Sequence, residues 1–177
     1  MNISKIGHGE NPDAVKAIIE IPLNSHIKYE IDKDSGMIEV DRVLYSAVHY
    51  PANYGFVANT LSDDGDPADI FVLCDYPLEI GSFIKCRLIG VLITKDESGI
   101  DEKLLAVPLK KIDPTYADIN DIEDVPQHTL DRIQEFFKSY KNLEPNKHVE
   151  VSGFKDKSEA TKILDMAIEK YKNANKS

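Results

Sequence analysis

Four aspartates fall within seven residues at Asp63-Asp64-Gly65-Asp66-Pro67-Ala68-Asp69, and the apolar run Ile70-Phe71-Val72-Leu73 follows at once. Aspartate, glycine and proline are turn formers, so one reading is a solvated turn, in which like charges ~4 Å apart repel by only ~1 kcal/mol. The other reading is a metal site. Asp69 adjoins a run that must be buried, and at an effective dielectric of ~20 the same repulsion grows to ~4 kcal/mol per pair, which a bound cation offsets. Pro67 interrupts the period-2 alternation, so a bend there can bring Asp64, Asp66 and Asp69 together. Carboxylates without neighbouring cysteine or histidine suit a hard ion such as Mg²⁺, Mn²⁺ or Ca²⁺. The internal proline and the lack of a glutamate at the twelfth position argue against an EF-hand loop.

A second acidic group, Asp96-Glu97-Ser98-Gly99-Ile100-Asp101-Glu102-Lys103, reads as a hairpin tip. Asp101 and Lys103 share a face by alternation. A charged tip is ordinarily just solvated, but two carboxylate clusters in one small chain make a shared multi-metal site more credible than either alone. Arg42 shares a strand face with Val40 and Leu44; an ion pair explains that, and so does a bidentate grip on a phosphate group. Lys28 and Glu30 share a face, and Glu20 falls opposite Ile19 and Ile21. Tyr50-Pro51-Ala52-Asn53-Tyr54-Gly55-Phe56 reads as a loop whose phenols either pack in the core or donate to phosphate oxygens. Tyr140-Lys141 closes a helix, where Lys141 also suits the helix dipole. The five histidines are scattered, without the spacing of a zinc helix. No GxSxG, P-loop or GxGxxG element occurs.

These residues need elements to hold them. Short β-rich pieces at Ala17 to Ile21, Lys28 to Ile31, Ile38 to Leu44, Ile70 to Cys74, Phe83 to Thr94 and Lys103 to Val107 suggest a small antiparallel barrel or sandwich. Helical periodicity follows, with Leu130, Ile133, Phe137 and Tyr140 on one face and Ala160, Ile163, Leu164, Ala167, Ile168 and Tyr171 on another. Pro126 stands near the start of the first helix and Ser158 is the expected N-cap of the second; Val149 to Val151 is one more short strand. The class is α+β. At 177 residues and 42% hydrophobic content, with no linker or repeat, residues 1–177 are expected to form a single domain. No apolar run approaches the ~20 residues of a membrane helix, and the polar N-terminus gives no signal-peptide pattern, so a cytoplasmic protein is expected. Cys74 and Cys86 are expected to be buried free thiols. With 31 acidic against 21 basic residues the net charge is −10; nucleic acid and anionic membrane are repelled, and an anionic substrate needs metal ions or placed cations.

Residue chemistry taken alone leaves open a non-catalytic acidic β-barrel metal-binding module and several two-metal phosphohydrolases. Five segments in order narrow this: Ile27-Lys28-Tyr29-Glu30, Val40-Asp41-Arg42, Tyr50-Pro51-Ala52-Asn53-Tyr54-Gly55, Asp64-Gly65-Asp66-Pro67-Ala68-Asp69-Ile70 and Tyr140-Lys141. Together they resemble the family I soluble inorganic pyrophosphatases of bacterial type, from Ile18 to about Gly153. The resemblance implies a small closed OB-like barrel with flanking helices, and Mg²⁺-dependent hydrolysis of pyrophosphate by direct attack of a water shared between ions. It implies that Asp64, Asp69 and Asp101 bind activating Mg²⁺, that Asp96 with Asp101 holds a further ion, and that Glu20 and Glu97 act from the edge. Lys28, Arg42, Tyr54, Lys103, Tyr140 and Lys141 would contact the phosphates, Glu30 would orient water and neighbouring cations, and Asp66 would accept the proton of the attacking water. A homohexamer is implied as well. Ala68 departs from the family, which more often has a larger aliphatic residue there.

Overall fold

In the computed structural model, residues 3–32, 35–97 and 99–176 are described. The strand Phe83–Asp96 (β7) organises the rest. Its fourteen residues are long enough to serve three partners. Its first half pairs with β2 (Ala14–Ile21), its second half with β9 (Val149–Asp156), and nearly its whole length with β8 (Gly99–Pro108), all antiparallel. The other sheet strands are β1 (Gly9–Glu10), β5 (Asn53–Val57) and β6 (Asp69–Val72). The sheet runs β1-β2-β5-β6-β8-β7-β9, and the extra β2–β7 ladder closes β2, β5, β6, β8 and β7 into a ring. Irregular register at Ile19/Ile21 and at Leu88/Gly90 supplies the bends that closure requires.

The closed barrel expected from the sequence is thus present, with one difference: β6 and β8 run parallel, with Asp69 opposite Lys103 and Val72 opposite Ala106. Closing the ring with β7 and β8 as a hairpin forces this direction on β8 beside β6. Both faces of the barrel strands are covered. Ile70, Val72, Leu104 and Ala106 belong to a core cluster shared with Leu164 and Ile168, whereas Phe71, Leu105 and Val107 belong to one shared with Leu130, Ile133 and Phe137. Strands buried on both faces need continuous apolar runs, which is why residues 70–72, 88–92 and 104–107 are unbroken, whereas the first half of β7 alternates.

The two helices cover these clusters. In α1 (Gln127–Ser139) Leu130, Ile133, Phe136 and Phe137 are buried; in α2 (Lys157–Ala174) Ala160, Leu164, Ala167 and Ile168 are. The expected N-cap is displaced by two residues. Asp156, whose side chain accepts the Glu159 N–H at 2.9 Å, caps α2, and Ser158 lies inside the helix; the aspartate brings a full negative charge to the helix N-terminus.

Two further expectations are corrected. The segment around Tyr54 is not simply a loop: Asn53–Val57 is a fully buried strand. It can pair closely with β2 because Gly55 lacks a side chain; a Cβ there would lie 1.7 Å from the Ile18 carbonyl oxygen. Arg42 does not stand on a buried apolar face either. Its strand β4 (Ile38–Val43) pairs with β3 (Ile27–Ile31) in a separate two-stranded sheet, and Val40 is 56% exposed. Alternation located the residues that share a face but could not say that the face runs from exposed Val40 to buried Leu44, with Arg42 between them. Of the thiols, Cys86 is buried, its pKa pushed up to about 12 by that burial, while Cys74 is only half-buried.

Candidate active site

The parallel ladder sets Asp69 at the start of β6 beside Lys103 on β8. The buried Lys103 ammonium hydrogen-bonds Asp69 and lies 2.7 Å from the Asp101 carboxylate. Burial alone lowers a lysine pKa; the two carboxylates outweigh it, so Lys103 is raised and stays charged. Asp101 is also raised, by burial first and then by Asp69 and Asp64, against the opposing pull of Lys103. Glu20, near the end of β2, accepts the Ile31 N–H at 2.9 Å and so ties the β3–β4 sheet to the barrel. Its pKa is pushed up to about 7, chiefly by burial, with Asp69 and Glu30 adding and the Ile31 N–H opposing.

The aspartate-rich turn between β5 and β6 is built from local bonds. Asp64 accepts the Asp66 N–H at 2.9 Å, Ser62 N–H donates to the Asp66 carbonyl at 2.7 Å, and Gly65 takes φ +90°. Thr60 anchors its base, donating to the Val57 carbonyl at 2.6 Å and accepting the Ala68 N–H at 2.8 Å. Ala68 itself is buried in the core cluster of β6. Its small side chain therefore alters packing under the turn and leaves the charged positions untouched.

Every sequence-derived candidate lies on one of two adjoining pockets. The larger, about 1050 Å³, is lined by Glu20, Lys28, Glu30, Arg42, Tyr54, Asp64, Asp66, Asp69, Asp101, Lys103, Tyr140 and Lys141. The smaller, about 520 Å³, adds Asp96 and Glu97 and shares Lys28, Arg42, Asp64, Asp66, Asp101 and Lys141 with it. Ion pairs link the opposing sets: Lys141 to Asp96 at 3.2 Å, Lys28 to Asp41 at 3.3 Å and to Glu30, and Lys147 to Glu97. The Lys147 ammonium holds Glu97 down to about 2. Tyr54 and Tyr140 are nearly buried, and burial followed by Asp69 or Asp101 raises both phenols, which keeps them protonated as donors.

Two further residues of the site carry no assignment from the sequence. Tyr50 lines the larger pocket, buried against Tyr54 and Phe136 with ring centroids 5.6 and 4.7 Å away; its place in the tyrosine-rich segment was the available signal. Glu144 is buried against Arg42, and no spacing or motif marks it.

The donor set agrees with a hard divalent ion. Burial and the neighbouring Asp69 and Asp64 make the ionised form of Asp101 costly, which a bound cation offsets, and Lys103 stands between Asp69 and Asp101 as a countercharge. Among the described residues no three acidic, histidine or cysteine side chains are arranged to enclose an ion; the fit lies in the chemistry of the donors.

A closed barrel with carboxylates facing cationic and phenolic donors across one mouth is built for a small polyanion accompanied by hard cations. The sequence profile of the family described as inorganic pyrophosphatase matches residues 17–172. The inorganic pyrophosphatase of Campylobacter jejuni is 62% identical over 172 residues, covering 97% of this chain and all of that one. Solved inorganic pyrophosphatases superpose with TM-scores of 0.89 for Helicobacter pylori (56% identity; 90% of this chain and 94% of the other) and 0.93 for Thermus thermophilus (40%; 97% and 99%). The chain belongs to the family I inorganic pyrophosphatases. The non-catalytic metal-binding module and the other phosphohydrolases are left without support.

Proposed function

We propose that this chain, acting as one domain over residues 1–177, hydrolyses inorganic pyrophosphate to two phosphates with Mg²⁺. The observation that carries the reading is the meeting of the two acidic clusters with Lys28, Arg42, Lys103 and Lys141 around shared pockets, together with the pyrophosphatase relatives. Asp64, Asp69 and Asp101 would hold the activating ions, and Asp96 with Asp101 a further one. Bound divalent ions would neutralise the substrate and make a water easier to deprotonate. Asp66, at the tip of the turn, accepts the proton of the attacking water. Arg42, Lys28, Lys141, Tyr54 and Tyr140 donate to phosphate oxygens and favour the charge that develops on the leaving group. Lys103 contacts phosphate as well while pairing with Asp69 and Asp101; Glu30 orients water and neighbouring cations, and Glu20 and Glu97 act from the edge of the site or through water. Assembly as a homohexamer in the cytoplasm belongs to the same proposal.

Phosphate release from pyrophosphate, measured with Mg²⁺ and again after chelation, tests it. Turnover is expected with the metal and little without it, and Asp66→Asn should lower kcat by about 10²-fold, the usual scale for a general base, with unchanged thermal unfolding. Folded protein that releases no phosphate from pyrophosphate with Mg²⁺ would falsify the proposal.

A further inference from the structure

We propose that Glu144 is a positioning residue for Arg42, holding the guanidinium against the phosphate-facing wall of the cleft. The inference rests on the pyrophosphatase reading, in which Arg42 meets a phosphate group. Glu144 is 7% exposed and lies in the turn that follows α1, where its N–H donates to the Lys141 carbonyl at 2.9 Å. Its Oε2 is 3.2 Å from Arg42 Nη1. The pair therefore joins two parts of the cleft that belong to different elements: the β3–β4 sheet, which carries Lys28, Glu30 and Arg42, and the turn that carries Tyr140 and Lys141.

Stability does not explain this burial. A buried ion pair is commonly no better than well-packed apolar side chains of the same volume, because both charges lose their hydration. Here the desolvation is incompletely offset: Glu144 Oε1 and Arg42 Nε are shielded from solvent, and neither has a hydrogen-bond partner. A leucine at 144 would fill the space without an orphaned oxygen. What the carboxylate supplies is direction. A guanidinium carries five N–H donors in a rigid fork. Fixing it through Nη1 leaves the other terminal nitrogen for an anion in the pockets that Arg42 lines. Asp41, 3.5 Å from Arg42 Nε, is next to it on the same strand and cannot tie it to the α1 turn.

The test compares Glu144→Leu, Glu144→Gln and wild type by steady-state kinetics with Mg²⁺-pyrophosphate and by calorimetric binding of methylenebisphosphonate, which is not hydrolysed. For Glu144→Leu we expect KM and the bisphosphonate Kd to rise together by about tenfold, the scale of a charge-assisted hydrogen bond, with kcat within about threefold. Glu144→Gln keeps an acceptor at the same reach but loses the charge, and should hold the rise to about threefold. In an Arg42→Ala background Glu144→Leu should add nothing further. Leu143→Ala, at a neighbour 64% exposed, should leave both constants unchanged. An unaltered KM and Kd in folded Glu144→Leu, or the same loss repeated without Arg42, overturns the proposal. Should Glu144→Leu fail to fold, Glu144→Gln carries the same cycle with an expected change of about threefold, and no change in its KM and Kd overturns the proposal equally. Absence of turnover in wild type rejects the pyrophosphatase reading instead, so the two failures are told apart.

Discussion

Around pH 7 Glu20 is half-titrated, because burial first, and then Asp69 and Glu30, push its pKa from 4.5 up to about 7. The unfolded chain gives up this proton near 4.5, so between about pH 4.5 and 7 the folded state binds more protons than the unfolded one. Stability from this group is complete below the lower value and lost as pH rises through the upper one. The shift bounds the effect at about 3 kcal/mol. In chelator, wild type should therefore melt at a lower temperature at pH 7.5 than at pH 5, and Glu20→Gln should remove that part of the slope; parallel slopes in the two proteins would contradict it. Asp64, Asp69, Asp101 and Lys103, which the sequence brings together by alternation and a turn, do line one pocket, because those rules are local. Glu144 is invisible to such rules, since its burial arises only when β4 meets the turn after α1, roughly a hundred residues further along the chain.

Among the elements, β5 depends most on a single position. Replacing Gly55 with alanine drives a Cβ to 1.7 Å from the Ile18 carbonyl oxygen and 3.1 Å from the Glu20 nitrogen. Backbone cannot yield as a flexible side chain does, so Gly55→Ala should cost at least about 3 kcal/mol. Gly65→Ala meets nothing within 4 Å and should cost only about 1–2 kcal/mol for its positive φ. Urea midpoints of the two variants check the contrast, and equal losses would refute it. The composition of the segment explains why its sequence suggests a loop: tyrosine, proline, asparagine and glycine are turn signals, whereas here asparagine serves as a staple. Asn53 accepts the Leu23 and Leu78 N–H groups at 2.9 and 2.8 Å and donates to the Tyr76 carbonyl at 3.0 Å. Helices α1 and α2 were legible because a 3.6-residue period needs no partner to be seen; their caps depend on single side chains and were less so.

For the molecule as a whole, exposed apolar side chains are spread over several elements, and the longest run of them in sequence follows β4. Met37, Val40, Val43 and Tyr45 are each more than half exposed, along β4 and just beyond it. Such a strip favours contact with other protein, in keeping with the proposed hexamer. Light scattering should give a mass near six times the 19.9 kDa of one chain; a monomer at micromolar concentration would count against it. Barrel closure followed from strand spacing and the family resemblance, but strand direction did not, because nothing local to β6 or β8 records which way its neighbour runs. Laid side by side in the same sense, these two strands begin at one rim, with Asp69, Asp101 and Lys103, and continue toward Val72 and Ala106. Had the ladder run the other way, Asp69 would face the apolar length of β8 and the charges would be scattered along the wall. The parallel seam, the one such pairing among the described residues, gives the barrel a charged end and an apolar end, so changes far along β6 and β8 should tune rigidity without touching the proposed chemistry.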